Sequence, residues 1–281
     1  METGENNSIN IQSENFNISL ANSYHLSIQL GISHFSYCLL NTITFTYEYA
    51  KKYSLSSAED IATEITEIIN NDAIIKADFS SQSIAFVNFS STLVPSTLYK
   101  EDEAETLLAF NTEVNGKILT DNILSQKAHL IYAVPESIVS IVSNFFPKAK
   151  QKAQETILIQ QYSQLNTKTE KAYLYLNEQK VGITIFKGDK LIFNNTFEYT
   201  TKEDLLYYTL FSFEQLKLSA ESIEVTVFGT IEKEDEYFNL LYEYIRNVKL
   251  GERPHQFTFP AAFNNIAQHK YFGLFTQVLC V

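Results

Sequence analysis

Glycine and proline are scarce in this chain of 281 residues, with eight and five copies. Loops that cradle phosphates need backbone without a Cβ close to the ligand, so this scarcity argues against a glycine-rich nucleotide loop. Neither a GxxxxGK[ST] nor a GxGxxG pattern occurs. Tryptophan is absent and methionine occurs once. The only two cysteines, Cys38 and Cys280, lie far apart in apolar surroundings, which speaks against a disulfide or a zinc site. The five histidines, His25, His34, His129, His255 and His269, show no pairing at metal-ligand spacing. No GxSxG elbow and no Cys–His pair suggests a nucleophile.

Positive charge is also in short supply: 21 basic residues face 33 acidic ones, a formal net charge of −12. Binding to phosphate backbones draws on clustered Lys and Arg, so neither nucleic acid nor an anionic membrane is an expected partner. No apolar run approaches the roughly 20 residues needed to cross a bilayer. The opening METGENNSINIQSENFN has neither the basic start nor the apolar stretch of a signal peptide, so a cytoplasmic location is expected.

What the chain does contain is 45% apolar residues, with Tyr (17) and Phe (21) carrying much of the bulk, enough for a real core and two medium domains. Three strands follow in quick succession, LSIQLG (26–31), FSYCLLN (35–41) and TITFTYEY (42–49). A helix follows, with Ser56 and Glu59 at capping-box spacing and Ile61, Ile65, Ile68 and Ile69 on one face. Then come a strand at 83–89, an acidic helix at 101–110, a strand at 129–135 and a helix after Pro135. The same order returns in AYLYLN (172–177), VGITIF (181–186), KLIFNNTF (190–197), a helix at 204–218 capped by Thr201 and Asp204, a strand at 223–229, an acidic helix at 232–248 and HQFTFP (255–260). Matching elements are offset by about 125–150 residues, an internal repeat of βββαβαβα units. Residues 151–166 read as a helix linking the halves. The expected division is a flexible or edge-strand segment at 1–20, a first lobe with the linking helix at 21–165 and a second lobe at 166–281.

A duplicated βββαβαβα unit resembles the ribonuclease H-like lobes of the actin, Hsp70 and sugar-kinase superfamily. LSIQLGISHFSYCLLN and LYLNEQKVGITIFKGDKLIFNNTF resemble the two lobe-opening hairpins of its pilus-assembly and type II secretion members. Over roughly residues 20–281 the chain is similar to an uncharacterised Bacteroidetes family with an actin-like ATPase fold. The resemblance implies an α/β fold of two such lobes. It also implies that ATP-hydrolysing relatives hold Mg²⁺ through an Asp near the end of each lobe's first strand, with Gly, Ser and Thr amides around the phosphates. Here those Asp positions fall on Gln29 and Tyr175. Gly31, Ser33 and His34 form the first turn, and the glycine-rich second turn becomes Asn177, Glu178 and Gln179, with Lys180 beside it. The adenosine loop carries Gly229 and Thr230 before the acidic run Glu232, Glu234, Asp235 and Glu236.

Plainer readings stand beside these. Gln29 and Tyr175 also suit ordinary strand positions, Gly31 and Gly229 ordinary turns, and the acidic runs ordinary helix N-termini. No catalytic or metal-binding residue is therefore expected, and no cofactor. The leading expectation is a pseudo-ATPase scaffold or adaptor for a protein partner, itself a monomer or homodimer. Two alternatives remain: a nucleotide-binding enzyme or switch using ATP and Mg²⁺ in an atypical cleft, where Ser33, Lys180 and Thr230 would converge, or a self-assembling actin relative.

Overall fold

The computed structural model describes residues 9–56, 61–165 and 169–280. Strands β1 (Asn10–Gln12), β2 (Tyr24–Gly31), β3 (His34–Asn41) and β4 (Thr46–Ser54) precede helix α1 (Ile61–Asn71) and β5 (Ser81–Val87). Next come β6 (Ser91–Pro95), α2 (Ala104–Ala109), β7 (Lys117–Ile123), β8 (Ala128–Val134) and α3 (Glu136–Phe145). The first half closes with β9 (Lys150–Ala153) and α4 (Gln154–Leu165). The second half holds β10 (Glu170–Asn177), β11 (Lys180–Lys187), β12 (Lys190–Glu198), α5 (Lys202–Gln215), β13 (Glu224–Gly229), α6 (Glu236–Tyr244), β14 (Asn247–Leu250) and α7 (Phe272–Thr276).

Two sheets share one strand order. The first runs β1-β4-β3-β2-β5-β9 and the second β12-β11-β10-β13-β14. In each, an antiparallel three-strand meander is followed by two parallel strands, and in the first β1 adds a further antiparallel strand at the edge. The repeat inferred from sequence is therefore real. Every residue of the central strand β2 is buried, as expected where both faces of a sheet are covered. Ile65 and Ile69 of α1 join Ile138, Ile141 and Val142 of α3 in the first core. Leu205 and Phe213 of α5 and Leu241 of α6 cover Val225, Val227, Ile183 and Ile185 in the second. Each fully buried Leu or Ile contributes about 1.5–3 kcal/mol of transfer free energy.

The last strand of each lobe lies elsewhere than the sequence suggested. The outer parallel strands are β9 and β14, which overlap the start of the stretch read as the helix 151–166 and the end of that read as the helix 232–248. Both are four residues long, KQKA and NVKL, and sit at sheet edges, so they carry no alternating apolar signal for periodicity to detect. The strand at 129–135 instead forms β8, the centre of a separate sheet β6-β8-β7 inserted between β5 and β9. HQFTFP forms no strand of its own. It touches β4 through one bridge, Thr46 to Thr258, while Phe257 and Phe259 join Tyr47, Phe263 and Phe275 in an aromatic cluster. Thus the C-terminal segment returns onto the first sheet, against Cys38, Leu40 and Ala50.

Smaller differences have local causes. The third strand starts at Thr46, because Asn41 Oδ1 accepts from the amides of Ile43 and Thr44 and turns the chain. The edge strand foreseen near the N-terminus is β1, whereas 18–23 form a 3₁₀ helix capped by Asn17. Thr201 and Asp204 make the expected capping box. Glu59 lies outside the described residues, and the Ser56 amide and hydroxyl instead donate to Glu64.

Helix α4 runs between the sheets and buries residues all round it, Ile157, Leu158, Ile159, Gln161 and Tyr162 among them. Tyr162 stacks on Tyr173 of β10 with centroids 4.2 Å apart and planes 3° apart, while Phe228 meets Phe272 at 4.2 Å. These rings bind α4, α7 and the second sheet into one interface.

Candidate functional site at the lobe interface

Because the two sheets share a topology, their first hairpins point at each other. The first turn is Ile32–Ser33; the second is Glu178–Gln179. Glu178 adopts φ 58°, a left-handed conformation that a glycine takes at no cost. The contacts of its side chain supply the compensation. The Ser33 hydroxyl donates to Glu178 Oε1, and His34 Nδ1 lies 3.4 Å from the same oxygen. The backbone carbonyl of Glu178 accepts from the Tyr199 hydroxyl at 2.9 Å. The hydrogen bond with His34 holds the Glu178 carboxyl below its ordinary range, against burial, with help from Ser33 and the Lys52 charge. Lys52 is itself buried, which lowers its pKa while Glu178 pulls the other way.

This cluster does not form a catalytic triad. A relay histidine faces its nucleophile and its acid with different ring nitrogens. Here Ser33 Oγ, 3.3 Å away, and Glu178 share Nδ1, and the serine donates directly to the carboxylate. The groups tie two lobes together and leave no general base free for the hydroxyl.

Behind the turns, Gln29 and Tyr175, the positions where the sequence resemblance implied metal-binding aspartates, meet at helix α7. Gln29 of β2, Tyr175 of β10 and Gln154 of α4 converge on Gly273: a methyl group there would stand 3.1, 3.3 and 2.9 Å from their side-chain ends. The amide nitrogens of Gln29 and Gln154 are buried without a partner among the described residues. The cavity between them, which Gln29, His34, Tyr175, Asn177, Gly229 and Thr230 line, has a volume of only 20 Å³. That is room for about one water molecule, far below the roughly 300 Å³ at which ligand pockets begin. ATP does not fit it. Among the described residues, no group of three or more His, Cys, Asp or Glu side chains could hold a metal ion.

Six of the nine sequence candidates thus share one wall, and three do not. Gly31 packs against Val87, Ser33 sits on the latch, and Lys180 turns away to the Asn88 carbonyl at 3.4 Å and Glu198 at 3.3 Å. The convergence of Ser33, Lys180 and Thr230 on one pocket does not occur. Gly229 has φ 97°, and a Cβ there would collide with the Leu176 carbonyl, which also accepts from the Thr230 amide at 2.8 Å. Its glycine is therefore required by the close approach of the Leu176 carbonyl of β10, the parallel neighbour of β13.

Lys52, Gln154, Lys270, Tyr271 and Gly273 were not singled out from the sequence. A lysine inside the alternating strand β4 is the one local signal among them. The rest come from α4 and the C-terminal segment, whose approach to the hairpins depends on the tertiary fold.

This architecture, two sheets of identical order with hairpins facing across a helix-filled interface, is an actin-like ATPase fold. It aligns with a Bacteroides thetaiotaomicron protein of actin-like ATPase fold and unknown function, at TM-score 0.82 and 20% identity, over 95% of this chain and 99% of that one. It also aligns with a structure of the PilM–PilN type IV pilus biogenesis complex, at TM-score 0.53 and 14% identity, over 91% and 96% of the two chains. The cytoplasmic domain of EpsL, an inner membrane component of the Vibrio cholerae type II secretion system, aligns at TM-score 0.42 and 9% identity, over 83% and 92%. The family model described as "Protein of unknown function (DUF3822)" matches residues 13–248, and the chain belongs to that family. No curated protein matches the sequence. Among the described residues, no helix is long and apolar enough to cross a membrane.

Proposed function

We propose that this protein is a non-catalytic member of the actin-like fold, a scaffold or adaptor that acts by binding a protein partner and does not hydrolyse ATP. The observation that carries the reading is the closed lobe interface. Only a 20 Å³ cavity lies between the hairpins, where the family resemblance would put nucleotide, and a carboxylate of the protein itself, Glu178, occupies the hydrogen-bonding groups of the first turn. Further support comes from the PilM–PilN complex, in which a protein of this fold is bound to another protein.

A second reading has one observation in its favour. A groove of 580 Å³ opens between the inserted sheet and β12, lined by Asn88, Ser91, Asn195 and Lys180, and burial pushes the Glu155 carboxyl there up to about 7. Buried acids poised in clefts are often functional, and such a groove keeps a small-ligand role open to test.

Thermal unfolding with and without millimolar ATP, ADP and Mg²⁺ tests the first reading. A ligand at 100 times its dissociation constant adds about 2.7 kcal/mol, which for a chain of this size raises the midpoint by about 4–5 °C. The expected result is no shift. A nucleotide-dependent rise of that size overturns the reading of an interface closed to nucleotide, and an assay of phosphate release then decides whether ATP is hydrolysed.

A further inference from the structure

Beside the lobe interface, the inner face of the second sheet carries a cationic basin on an otherwise acidic protein. Its floor is a row in register across three strands: Tyr173 opposite Thr226, and Thr226 opposite Lys249. Lys171, two residues before Tyr173, projects from the same face, since side chains alternate along a strand. The end of α4 forms one wall, Phe228 and Phe272 an apolar corner, and the loop 250–256 the rim, enclosing a cavity of 400 Å³.

Its charge is opposite to that of the whole chain. Lys171, Lys249 and Arg253 line the basin against a single carboxylate, Glu252, although the net formal charge of the protein is −12. Glu252 is partly engaged by His255 at 3.5 Å, and Lys171 by Glu224 at 3.5 Å. Lys249 and Arg253 have no carboxylate partner among the described residues. Arg253 is anchored elsewhere: its NH2 group donates to the carbonyls of Phe263 at 2.7 Å and Ile266 at 2.5 Å.

Two buried donors are left over. The Tyr173 hydroxyl, on a residue 1% exposed, and Arg253 Nε have no hydrogen-bond partner among the described residues. An unpaired buried polar group costs free energy, so such groups point to a missing water, ion or ligand. Here both belong to residues lining one cavity, beside the ammonium groups of Lys171 and Lys249.

We propose that this basin binds a small organic anion of one or two negative charges with a flat apolar body, an aromatic carboxylate being the simplest member of the class. The volume lies within the range of small-molecule pockets and is much larger than an inorganic ion needs. With Lys171 shared with Glu224 and Glu252 opposing the others, the small cationic excess suits a mono- or dianion and gives a polyphosphate too little compensation. The Phe228–Phe272 corner supplies the surface for the apolar body.

The test is a ¹⁵N-resolved NMR titration of the full chain with 4-hydroxybenzoate and indole-3-acetate. Neutral 4-hydroxybenzyl alcohol and inorganic phosphate serve as controls, and Lys249→Glu and Tyr173→Phe as variants. Lys249 is exposed and the Tyr173 hydroxyl holds no partner, so both variants keep the fold, which circular dichroism and the unfolding midpoint verify. The expected result is saturable shifts at 171–173, 226 and 249–255 with the acids, weakened about tenfold by Lys249→Glu and severalfold by Tyr173→Phe. Four outcomes overturn the proposal: no saturable shift with either acid; equal affinity for the neutral alcohol; phosphate binding as tightly as the acids; or unchanged affinity in both folded variants. Lys249 lines the basin and not the small cavity between the hairpins, so a nucleotide effect that survives Lys249→Glu bears on the lobe interface and not on this site.

Discussion

Replacing Glu178 with alanine and with glycine separates the two roles this residue plays. Alanine deletes the carboxylate but keeps a Cβ at φ 58°, whereas glycine deletes the carboxylate and also relieves the left-handed backbone. Hydrogen bonds to a charged group contribute about 1.5–3 kcal/mol, but the Glu178 side chain is 37% exposed, so solvent screening brings the Ser33 and His34 contacts to about 1 kcal/mol. A non-glycine residue in this region costs about 1–2 kcal/mol, partly offset by the extra freedom glycine has in the unfolded chain. Glu178→Ala should therefore be less stable than the parent by about 1 kcal/mol, and Glu178→Gly close to it, in urea unfolding at neutral pH. The sign of the pH dependence follows from the depressed carboxyl. Its stabilisation is fully present above the unfolded pKa and disappears as pH falls through the folded one, so parent and alanine variant should converge in acid. If Glu178→Ala matches the parent at neutral pH, or if the gap persists unchanged in acid, the carboxylate is not holding the lobes together.

Gly229→Ala should destabilise by about 3 kcal/mol or more in the same assay, because φ 97° and the Leu176 carbonyl leave no room for a methyl group. His25 is 2% exposed, and burial with the nearby Lys150 charge lowers its pKa to about 4. The unfolded chain then binds the extra proton first, so stability should fall by about 3 kcal/mol between pH 6.5 and 4, a slope that His25→Gln flattens in pH-dependent unfolding. Asp72 accepts from Tyr37 at 2.7 Å and Tyr53 at 2.6 Å, and Lys51 lies 3.3 Å away, so Asp72→Ala should cost about 2–4 kcal/mol by stranding buried hydroxyls, read from the urea midpoint. Thr201→Ala removes the capping box of α5 and should cost about 1 kcal/mol, seen as a lower thermal midpoint with unchanged helical circular dichroism.

The fold was legible where elements advertise themselves by period and cap. β2, β3, β10 and β11 alternate and are separated by tight turns, and Thr201 with Asp204 marks the start of α5. β9 and β14 were hidden because an edge strand of four residues is specified by backbone pairing to its neighbour, which no side-chain pattern records. HQFTFP misled for the opposite reason: its alternating Phe257 and Phe259 serve an aromatic cluster and pair with no neighbouring strand beyond one bridge. At the lobe interface, the unusual residues Gln29, Tyr175 and Glu178 were visible in the hairpins. Their partners were not, since Gly273 is separated from Gln29 by most of the chain and meets it only after the C-terminal segment folds back.

In a two-lobed protein that uses nucleotide, the ligand supplies negative charge and hydrogen-bond acceptors between the hairpins, and its presence decides how the lobes sit. Here the chain supplies both. Glu178 brings an anion from the second lobe to Ser33 and His34 of the first, while Gly273 and Tyr271 bring α7 into the space behind. Opening the interface would strand the carboxylate's partners and uncover Tyr162, Tyr173, Phe228 and Phe272, whose rings pack at 4.2–5.9 Å. Stacked aromatic pairs add about 0.5–1.5 kcal/mol each beyond their buried area, so a closed arrangement needs no bound ligand to hold it. Under the scaffold reading proposed above, a lobe pair fixed in this way would offer a partner a constant surface without the ligand-controlled closure on which a nucleotide switch depends.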